Sequence, residues 1–481
     1  MPPEYPPDGG PYNVPMAERF ELRSPMPTSA ANVYAWHARP AAFLRLQPPW
    51  ERIAVQSQTG SFAEGRLDVR FRAKCIGPFQ HQWQVEFFDF EPDRGFKYRQ
   101  VRGPFAEWVH THRFMPDGDR SILENVVEYR LPFGPLGHAF GAGPVDDRLR
   151  AMFEYRHALL ASDLRRHGLY RDRPRLNIAI TGSRGLIGSE LALFLATGGH
   201  HVRRLVSGTG PVKKPDFDDG TEYELWNPQA PVDPALLDGF DAVIHLAADG
   251  ISVGRWTVEK RKRILESRTI PTRHLAEAIA NLPPDRRPKV FLSASAVGIY
   301  GDRADEILTE ESSTGPGFLA DVCKEWEAAT GPAEAAGVRV VKLRIGAVLT
   351  PKDGALGKQL FAFRAGLGAV LGSGQQWMPW VTVHDVVGAI HHCLQSHELA
   401  GPVNIMAPEP VQNKTFTRTL GRVLWRPAFN WLPRPALRLM FGDIADAALL
   451  ASMRGTPTKL QATDFTFDHA ELEPGLRFLL G

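Results

Sequence analysis

The hydrophobic pattern of the chain changes period near residue 170. From Glu18 to about Gly168, apolar and polar residues mostly alternate. Arg66-Leu-Asp-Val-Arg-Phe-Arg72 and Gln82-Trp-Gln-Val-Glu-Phe87 each place their apolar side chains on one face. That pattern suits an antiparallel sheet with one face buried. Trp108–Phe114 and Ile122–Tyr129 continue the series, separated by turn signals such as Pro116-Asp-Gly118. The period then lengthens. Asp146–His167 carries Leu149, Met152, Phe153, Leu159, Leu160 and Leu164 on one stripe and predicts a single long helix. An antiparallel sheet closed by one long helix is an α+β arrangement.

Beyond the polar linker 169–175, strand and helix patterns alternate, as in a parallel, doubly wound α/β sheet. Leu176–Ile180 reads as a short apolar strand and Ser189–Thr197 as an apolar helix. Between them lies Thr181-Gly182-Ser183-Arg184-Gly185-Leu186-Ile187-Gly188. Strand, glycine loop and helix in this order make a dinucleotide-binding fingerprint. Gly182 allows the tight turn, Gly185 lets the main chain approach a pyrophosphate, and Gly188 lets helix and strand pack closely. The helix start offers unpaired N–H groups and a positive dipole end.

The next strand, His201–Val206, ends at Ser207-Gly208 without the acidic residue that usually holds a ribose 2′-hydroxyl. Arg184, with Arg203 or Arg204, is placed to meet a 2′-phosphate instead. The expected cofactor is therefore NADP, with NAD as the alternative. Asp241–Ala248 is a further strand, and Leu246, Ala247 and Ala248 at its carboxyl end let a cofactor lie against the backbone. Val290–Ser295 ends in hydroxyls and leads into Gly298-Ile-Tyr300-Gly301.

Composition narrows the classes. The chain has 481 residues, 43% hydrophobic and 23% charged, with a formal net charge of +2, as in an ordinary soluble protein of two or three domains. That charge gives no reason to expect a nucleic-acid partner. The run Lys260–Arg263 reads as a solvated helix face. Cys75, Cys323 and Cys393 lie too far apart for a disulfide framework or a zinc site and fit a reducing cytoplasm. Residues 1–17 are rich in Pro and Gly, which predicts a disordered tail and no signal peptide. No apolar run approaches the length of a bilayer span. His110 and His112 share a sheet face, but no third ligand is near, and no metal role is assigned to them.

Two resemblances follow from these motifs. The first half, with Pro48-Pro-Trp50 and Gly103-Pro-Phe105, resembles the helix-grip fold of the START and polyketide-cyclase superfamily, which implies a cavity for an apolar ligand. The second half resembles the epimerase-like atypical branch of the extended short-chain dehydrogenase/reductases. The match runs through Gly185-Leu-Ile-Gly188, His245-Leu-Ala-Ala248, Gly254-Arg-Trp-Thr257 and Ser293–Gly301. It continues through Phe318-Leu-Ala320, Trp326-Glu327, Asn404–Pro410 and Pro457–Leu460. In that superfamily a Tyr and a Lys four residues later carry the proton step. Here the corresponding positions hold Leu319 and Cys323, and the usual upstream Asn is Arg268. The resemblance leaves Ser295 as the surviving catalytic hydroxyl. Cys323 beside Arg268 is a candidate nucleophile or acid, against a buried inert thiol, and Tyr300 is an alternative proton donor. Asp385 reads as a helix N-cap behind the loop Gly372–Trp380, not as a partner of His384.

The expected organisation is a tail (1–17), a helix-grip domain (18–168), a linker (169–175), a Rossmann domain (176–410) and a helical substrate-side lobe (411–481). The first functional reading is an NADP-dependent oxidoreductase or epimerase acting on a small molecule. The second is a non-enzymatic NADP(H) sensor or lipid-handling protein, motivated by the missing Tyr–Lys pair.

Overall fold

The computed structural model describes residues 18–51, 53–73, 80–208, 211, 212, 214, 217–252 and 254–481. The expected tail and Cys75 lie outside the described residues. The chain divides into two compact units, Met1–Ala35 with Arg52–His157, and Trp36–Glu51 with Ala158–Gly481.

In the first unit the alternating segments form one antiparallel sheet. Its strands are β1 (Glu18–Met26), β2 (Ala54–Ser61), β3 (Arg66–Ala73), β4 (His81–Glu91), β5 (Gly95–Arg102), β6 (Glu107–Asp117) and β7 (Arg120–Arg130). The order is β1-β7-β6-β5-β4-β3-β2, a meander whose first strand returns to pair with the last. Alternation works as expected in β3, where Leu67, Val69, Phe71 and Ala73 are buried and the residues between them are not. The core is aromatic. Trp83, Phe105 and Trp108 lie ring to ring, and Phe20 stacks on Phe153 of the long helix. One polar chain crosses this interior. His110 Nε2 meets Asn125 at 2.6 Å, Asn125 meets His157 at 2.7 Å, and His157 Nδ1 reaches Ser24 at 2.8 Å.

Two short helices follow β1, α1 (Ala30–His37) and α2 (Ala42–Arg45), and the long helix α3 covers Gly134–Gly168. The helix therefore starts well before the expected Asp146. Pro144 lies inside it, where a proline ordinarily removes a hydrogen bond and marks a break.

The second unit is a seven-stranded parallel sheet. Its first strands are β8 (Asn177–Thr181), β9 (His201–Ser207), β10 (Glu222–Trp226), β11 (Ala242–His245) and β12 (Val290–Ala296). With the strands Arg339–Ile345 and Gly401–Ile405 the order is β10-β9-β8-β11-β12, then those two in turn. The helices are α4 (Leu186–Thr197), α5 (Val258–Asn281), α6 (Phe318–Ala328), α7 (Gly331–Ala335), α8 (Gly354–Arg364), α9 (Val383–Gln395), α10 (Asn413–Val423), α11 (Arg434–Phe441), α12 (Thr458–Ala462) and α13 (Leu472–Leu480). Strands buried on both faces have continuous apolar runs. Ile178, Ile180 and Ile244 pack against α4 and α9, while Ala179, Val243 and Phe291 pack against α5.

Residues 36–51 and 158–168, expected in the first domain, pack in this unit. Arg45 explains why. Its guanidinium holds Asp163 through two hydrogen bonds of 2.8 and 2.9 Å and Glu190 of α4 through a third at 3.0 Å. All three groups are buried, so losing one partner would leave an uncompensated charge. Asp385 departs from its expected role as well. Thr382 is the N-cap of α9, and Asp385 lies inside the helix. Its carboxylate pairs with Arg166 at 2.8 Å and accepts the backbone N–H groups of Asp468 and His469.

A cluster of neutral histidines lies in the same layer. His167 stacks on Phe194 of α4, with His391 and His200 nearby. Burial lowers all three pKa values, and Arg39 and Arg175 lower those of His167 and His200 further; His200 falls from 6.5 to about 4. Below pH 6.5 the unfolded chain binds protons that the folded chain refuses, so stability falls as pH drops. The His200 shift alone corresponds to roughly 3 kcal/mol. Glu190, held at about 2 by Lys352 and Arg45 against its own burial, adds a loss that begins only below pH 4.5. We predict that urea midpoints decline steadily from pH 6.5 to pH 4. A flat profile there would show that these imidazoles stay accessible to protons.

Candidate functional site

The chain leaves β8 in one direction, toward β9 and β10, and β11 starts the other half of the sheet, so the fold reverses between β8 and β11. Open α/β sheets bind ligands at such a point, outside the carboxyl ends of the strands. A cleft of about 360 Å³ lies there. It is lined by Gly182, Ser183, Arg184 and Gly185 after β8, by Leu205–Ser207 of β9, and by Trp226, Pro228 and Gln229 after β10. Leu246–Asp249 after β11 and Ser267 and Pro271 of α5 close it.

Local sterics dictate this loop. Gly182 has φ +67°, and a Cβ there would stand 2.5 Å from the Leu246 carbonyl carbon and 2.6 Å from the Ala247 nitrogen. At Gly188 a Cβ would meet the Gly182 carbonyl oxygen at 2.3 Å. Neither position tolerates a side chain without backbone movement. Gly185 is the N-cap of α4, has extended geometry, supplies no side chain to the free helix N–H groups and lines the cleft. The first turn of α4 has no acidic residue, so its positive end is unopposed. The Ser183 hydroxyl is buried and finds no acceptor or donor among the described residues. A dinucleotide phosphate fits this donor set. Leu186, Ile187 and Gly188 do not line the cleft. Ile187 packs on the sheet core and Leu186 lies against Gly354, so they seat the helix.

The three arginines separate. Arg184 lines the cleft. Arg203 turns to Glu222 and Glu224 of β10. Arg204 is buried behind the loop, where it pairs with Asp219 at 2.8 Å and donates to Thr221 at 2.9 Å and to the Ser183 carbonyl at 3.1 Å. A guanidinium so occupied spends three of its five N–H donors on the loop and its neighbours, and it braces the phosphate loop from outside the cleft lining. Beside the cleft, Lys260 of α5 binds Asp249 at 2.9 Å and the Gly250 carbonyl at 2.8 Å, fixing the loop after β11.

The candidate catalytic residues lie elsewhere. None of Ser295, Tyr300, Cys323 and Arg268 lines the cleft. Ser295, at the end of β12, donates to Glu327 at 2.7 Å, and Glu327 is clamped by Arg344 at 2.8 and 3.0 Å. Arg344 also donates to the Tyr300 hydroxyl at 3.0 Å, and Tyr300 donates to Asn404 at 2.7 Å. Tyr300 is buried and its pKa is raised chiefly by that burial, which argues against proton transfer near neutrality. Leu319 and Cys323 share a face of α6 and both approach Gly298, as their spacing requires. Burial, then the Glu327 charge, pushes the Cys323 thiol up to about 12 despite Arg268 nearby. Of the two readings of Cys323, this favours the buried, inert thiol, because desolvation outweighs the cation. Arg268 itself donates to the Ile264 carbonyl at 2.9 Å and stacks over Trp326.

Two outcomes follow. Glu327→Ala should cost about 3–5 kcal/mol in urea denaturation, because it strands the buried Arg344 charge; a cost below about 1 kcal/mol would mean that water already reaches this network. Cys323 should resist iodoacetamide at mildly alkaline pH until the protein unfolds, as read by peptide mass mapping. Native-state alkylation at Cys323 would restore the nucleophile reading.

Comparison with known proteins agrees with this architecture. Residues 178–406 match the NAD dependent epimerase/dehydratase family, and residues 432–479 match a domain of unknown function, DUF1731. An epimerase family protein of Mycobacterium bovis is 39% identical over 302 residues, which is 63% of this chain and 96% of the relative. The Bacillus subtilis epimerase family protein YfhF is 33% identical over 63% of this chain and 98% of its own length. Among solved structures, the nucleoside-diphosphate sugar epimerase from Corynebacterium glutamicum is similar over 96% of this chain and 90% of its own, with TM-score 0.76 and 31% identity. The human epimerase family protein SDR39U1, solved with NADPH, is similar over 63% of this chain and 99% of its own, with TM-score 0.57 and 30% identity. With its glycine loop at the sheet's reversal point and relatives matched over nearly their whole length, the chain belongs to the NAD-dependent epimerase/dehydratase family.

Proposed function

We propose that the second unit is an NADP(H)-dependent oxidoreductase or epimerase acting on a small molecule, with the dinucleotide in the cleft between β8 and β11. The glycine cradle carries this reading, since Gly182 and Gly188 exclude any side chain and leave the buried Ser183 hydroxyl in the cleft wall beside the start of α4. The NADPH bound by the human relative supports the choice of phosphorylated cofactor. Ser183, Gly185 and the first N–H groups of α4 hold the pyrophosphate, Leu246, Ala247 and Ala248 carry the flat part of the cofactor, and Arg184 takes the 2′-phosphate. When bound, a nicotinamide supplies or accepts hydride at a carbon bearing oxygen. Ser295, held by Glu327, is the remaining hydroxyl at the carboxyl end of β12 and the candidate for orienting a substrate oxygen.

The first unit is read as a START/polyketide-cyclase-like helix-grip domain fused ahead of this module. Its returning meander and its long helix support that assignment, and an apolar small molecule is the ligand it implies. The spacing of the cysteines supports a cytoplasmic setting.

The decisive experiment is calorimetric titration with NADPH and NADH. Arg184→Ala should weaken NADPH on the order of ten-fold and leave NADH unchanged, whereas Arg204→Ala, which removes the brace behind the loop, should weaken both. Equal loss of both nucleotides in Arg184→Ala would refute the 2′-phosphate assignment. In a screen of ketones, quinones and sugar nucleotides, Ser295→Ala should lower kcat while sparing NADPH affinity. Tight NADPH binding with no turnover of any substrate would favour the sensor reading.

A further inference from the structure

The strongest feature outside the cleft is an exposed aromatic surface on the C-terminal lobe. Trp425 is 83% exposed and Phe429 82%, and Trp431, Phe361 and Leu367 are also exposed. They are held together by backbone. The strands Ala369–Leu371 and Asn430–Leu432 pair in parallel with Val370 opposite Trp431. Asn430 donates to the carbonyls of Gly366 and Gly368 at 3.4 and 3.3 Å, and Arg426 to that of Arg364 at 3.1 Å. Scattered apolar residues on a surface need no explanation, but two tryptophans and two phenylalanines gathered around one parallel strand pair do.

Trp425 is also held in a costly conformation. It follows α10 with φ +53°, at the position where helices usually place glycine. The turn there is closed by Trp425 N–H to Arg422 and by Arg426 N–H to Gly421, so the left-handed backbone is fixed whatever the side chain. A bulky residue is unfavourable there, and its indole makes no compensating burial. Folding does not account for a tryptophan at this site.

The segment that carries these rings is itself basic. Between residues 410 and 442 the chain carries Lys414, Arg418, Arg422, Arg426, Arg434 and Arg438 and no Asp or Glu. Arg422 is balanced by Glu473, and Arg434 and Arg438 by Asp446. Arg426, beside Trp425, hydrogen-bonds only to backbone carbonyls among the described residues and keeps its charge uncompensated. A second copy is a poor partner, because a two-fold contact would set this basic surface against itself.

We propose that this surface, centred on Trp425 and Phe429, docks on an anionic lipid membrane. The aromatic rings sit at headgroup depth, where amphipathic rings are favoured, and Arg426 and its neighbours meet the lipid phosphates. No helix among the described residues is long and apolar enough to cross a membrane, so the contact is peripheral. A cationic rim with two anchoring rings suits reversible, salt-sensitive attachment.

The test is flotation of the full chain with vesicles of phosphatidylglycerol in phosphatidylcholine, against phosphatidylcholine alone. Wild-type protein should float with the anionic vesicles at low salt and be released at high salt. Trp425→Gly relieves the backbone, so its melting temperature should be unchanged or higher and its NADPH affinity unchanged, while vesicle affinity drops on the order of ten-fold. Arg426→Gln should cost roughly five-fold on anionic vesicles only. The proposal is overturned if wild type does not float, or if Trp425→Gly floats as well as wild type. It is also overturned if ultracentrifugation shows a dimer that Trp425→Gly dissociates, or if the surface retains RNA while ignoring lipid.

Discussion

The contact on which the second unit depends is main chain against main chain. The loop after β8 presses Gly182 onto the end of β11 and Gly188 onto Gly182 itself, at separations that leave no volume for a Cβ. Such an approach brings the start of α4 directly over the carboxyl ends of the strands, where the sheet reverses direction. Ser183, Arg184 and the helix N-cap Gly185 then line one cleft. Behind the loop, Arg204 holds the Ser183 carbonyl, and its own charge is balanced by Asp219. The loop is thus held in one conformation by its own packing, which lowers the ordering cost of binding a ligand there.

Charge in the interior serves architecture. Arg45, Asp163, Glu190 and Lys352 tie residues 36–51 and the end of α3 to the helix that carries the phosphate loop. Ser295, Glu327, Arg344, Tyr300 and Asn404 form a second buried network on the opposite half of the sheet. Groups that sequence alone marks as chemical, a serine, a tyrosine and a cysteine around the turn after β12, are desolvated there, and the two hydroxyls are engaged by Glu327, Arg344 and Asn404. Their reactivity is set by burial, as the raised pKa values of Cys323 and Tyr300 record.

What was legible in the sequence was local or periodic. The two-residue period of Arg66–Arg72 and Gln82–Phe87 predicted β3 and β4, and the strand–loop–helix order around Gly182–Gly188 predicted the cradle. The start of α3 was not legible, because Gly134, Pro135 and Pro144 speak against a helix that nevertheless forms over them. Trp226, Pro228 and Gln229 escaped notice as cleft residues, since a strand end carries no signature of what its last side chain will face. The sequence offers Arg204 for a 2′-phosphate, whereas the fold sets it on the Ser183 carbonyl and on Asp219, which arrives from a separate turn. The Glu327–Arg344 pair, 17 residues apart, and the Arg45–Asp163 pair, 118 apart, exist only once the fold has formed.

In the proposed function, one short stretch of backbone receives the diphosphate of a nicotinamide nucleotide. Hydrogen–deuterium exchange of the full chain with and without NADPH tests it directly. Exchange should slow in the peptides covering Gly182–Ser189 and Leu246–Asp249, with the Ser295–Tyr300 segment little changed. Protection that spares the Gly182–Ser189 amides while NADPH is demonstrably bound would contradict it.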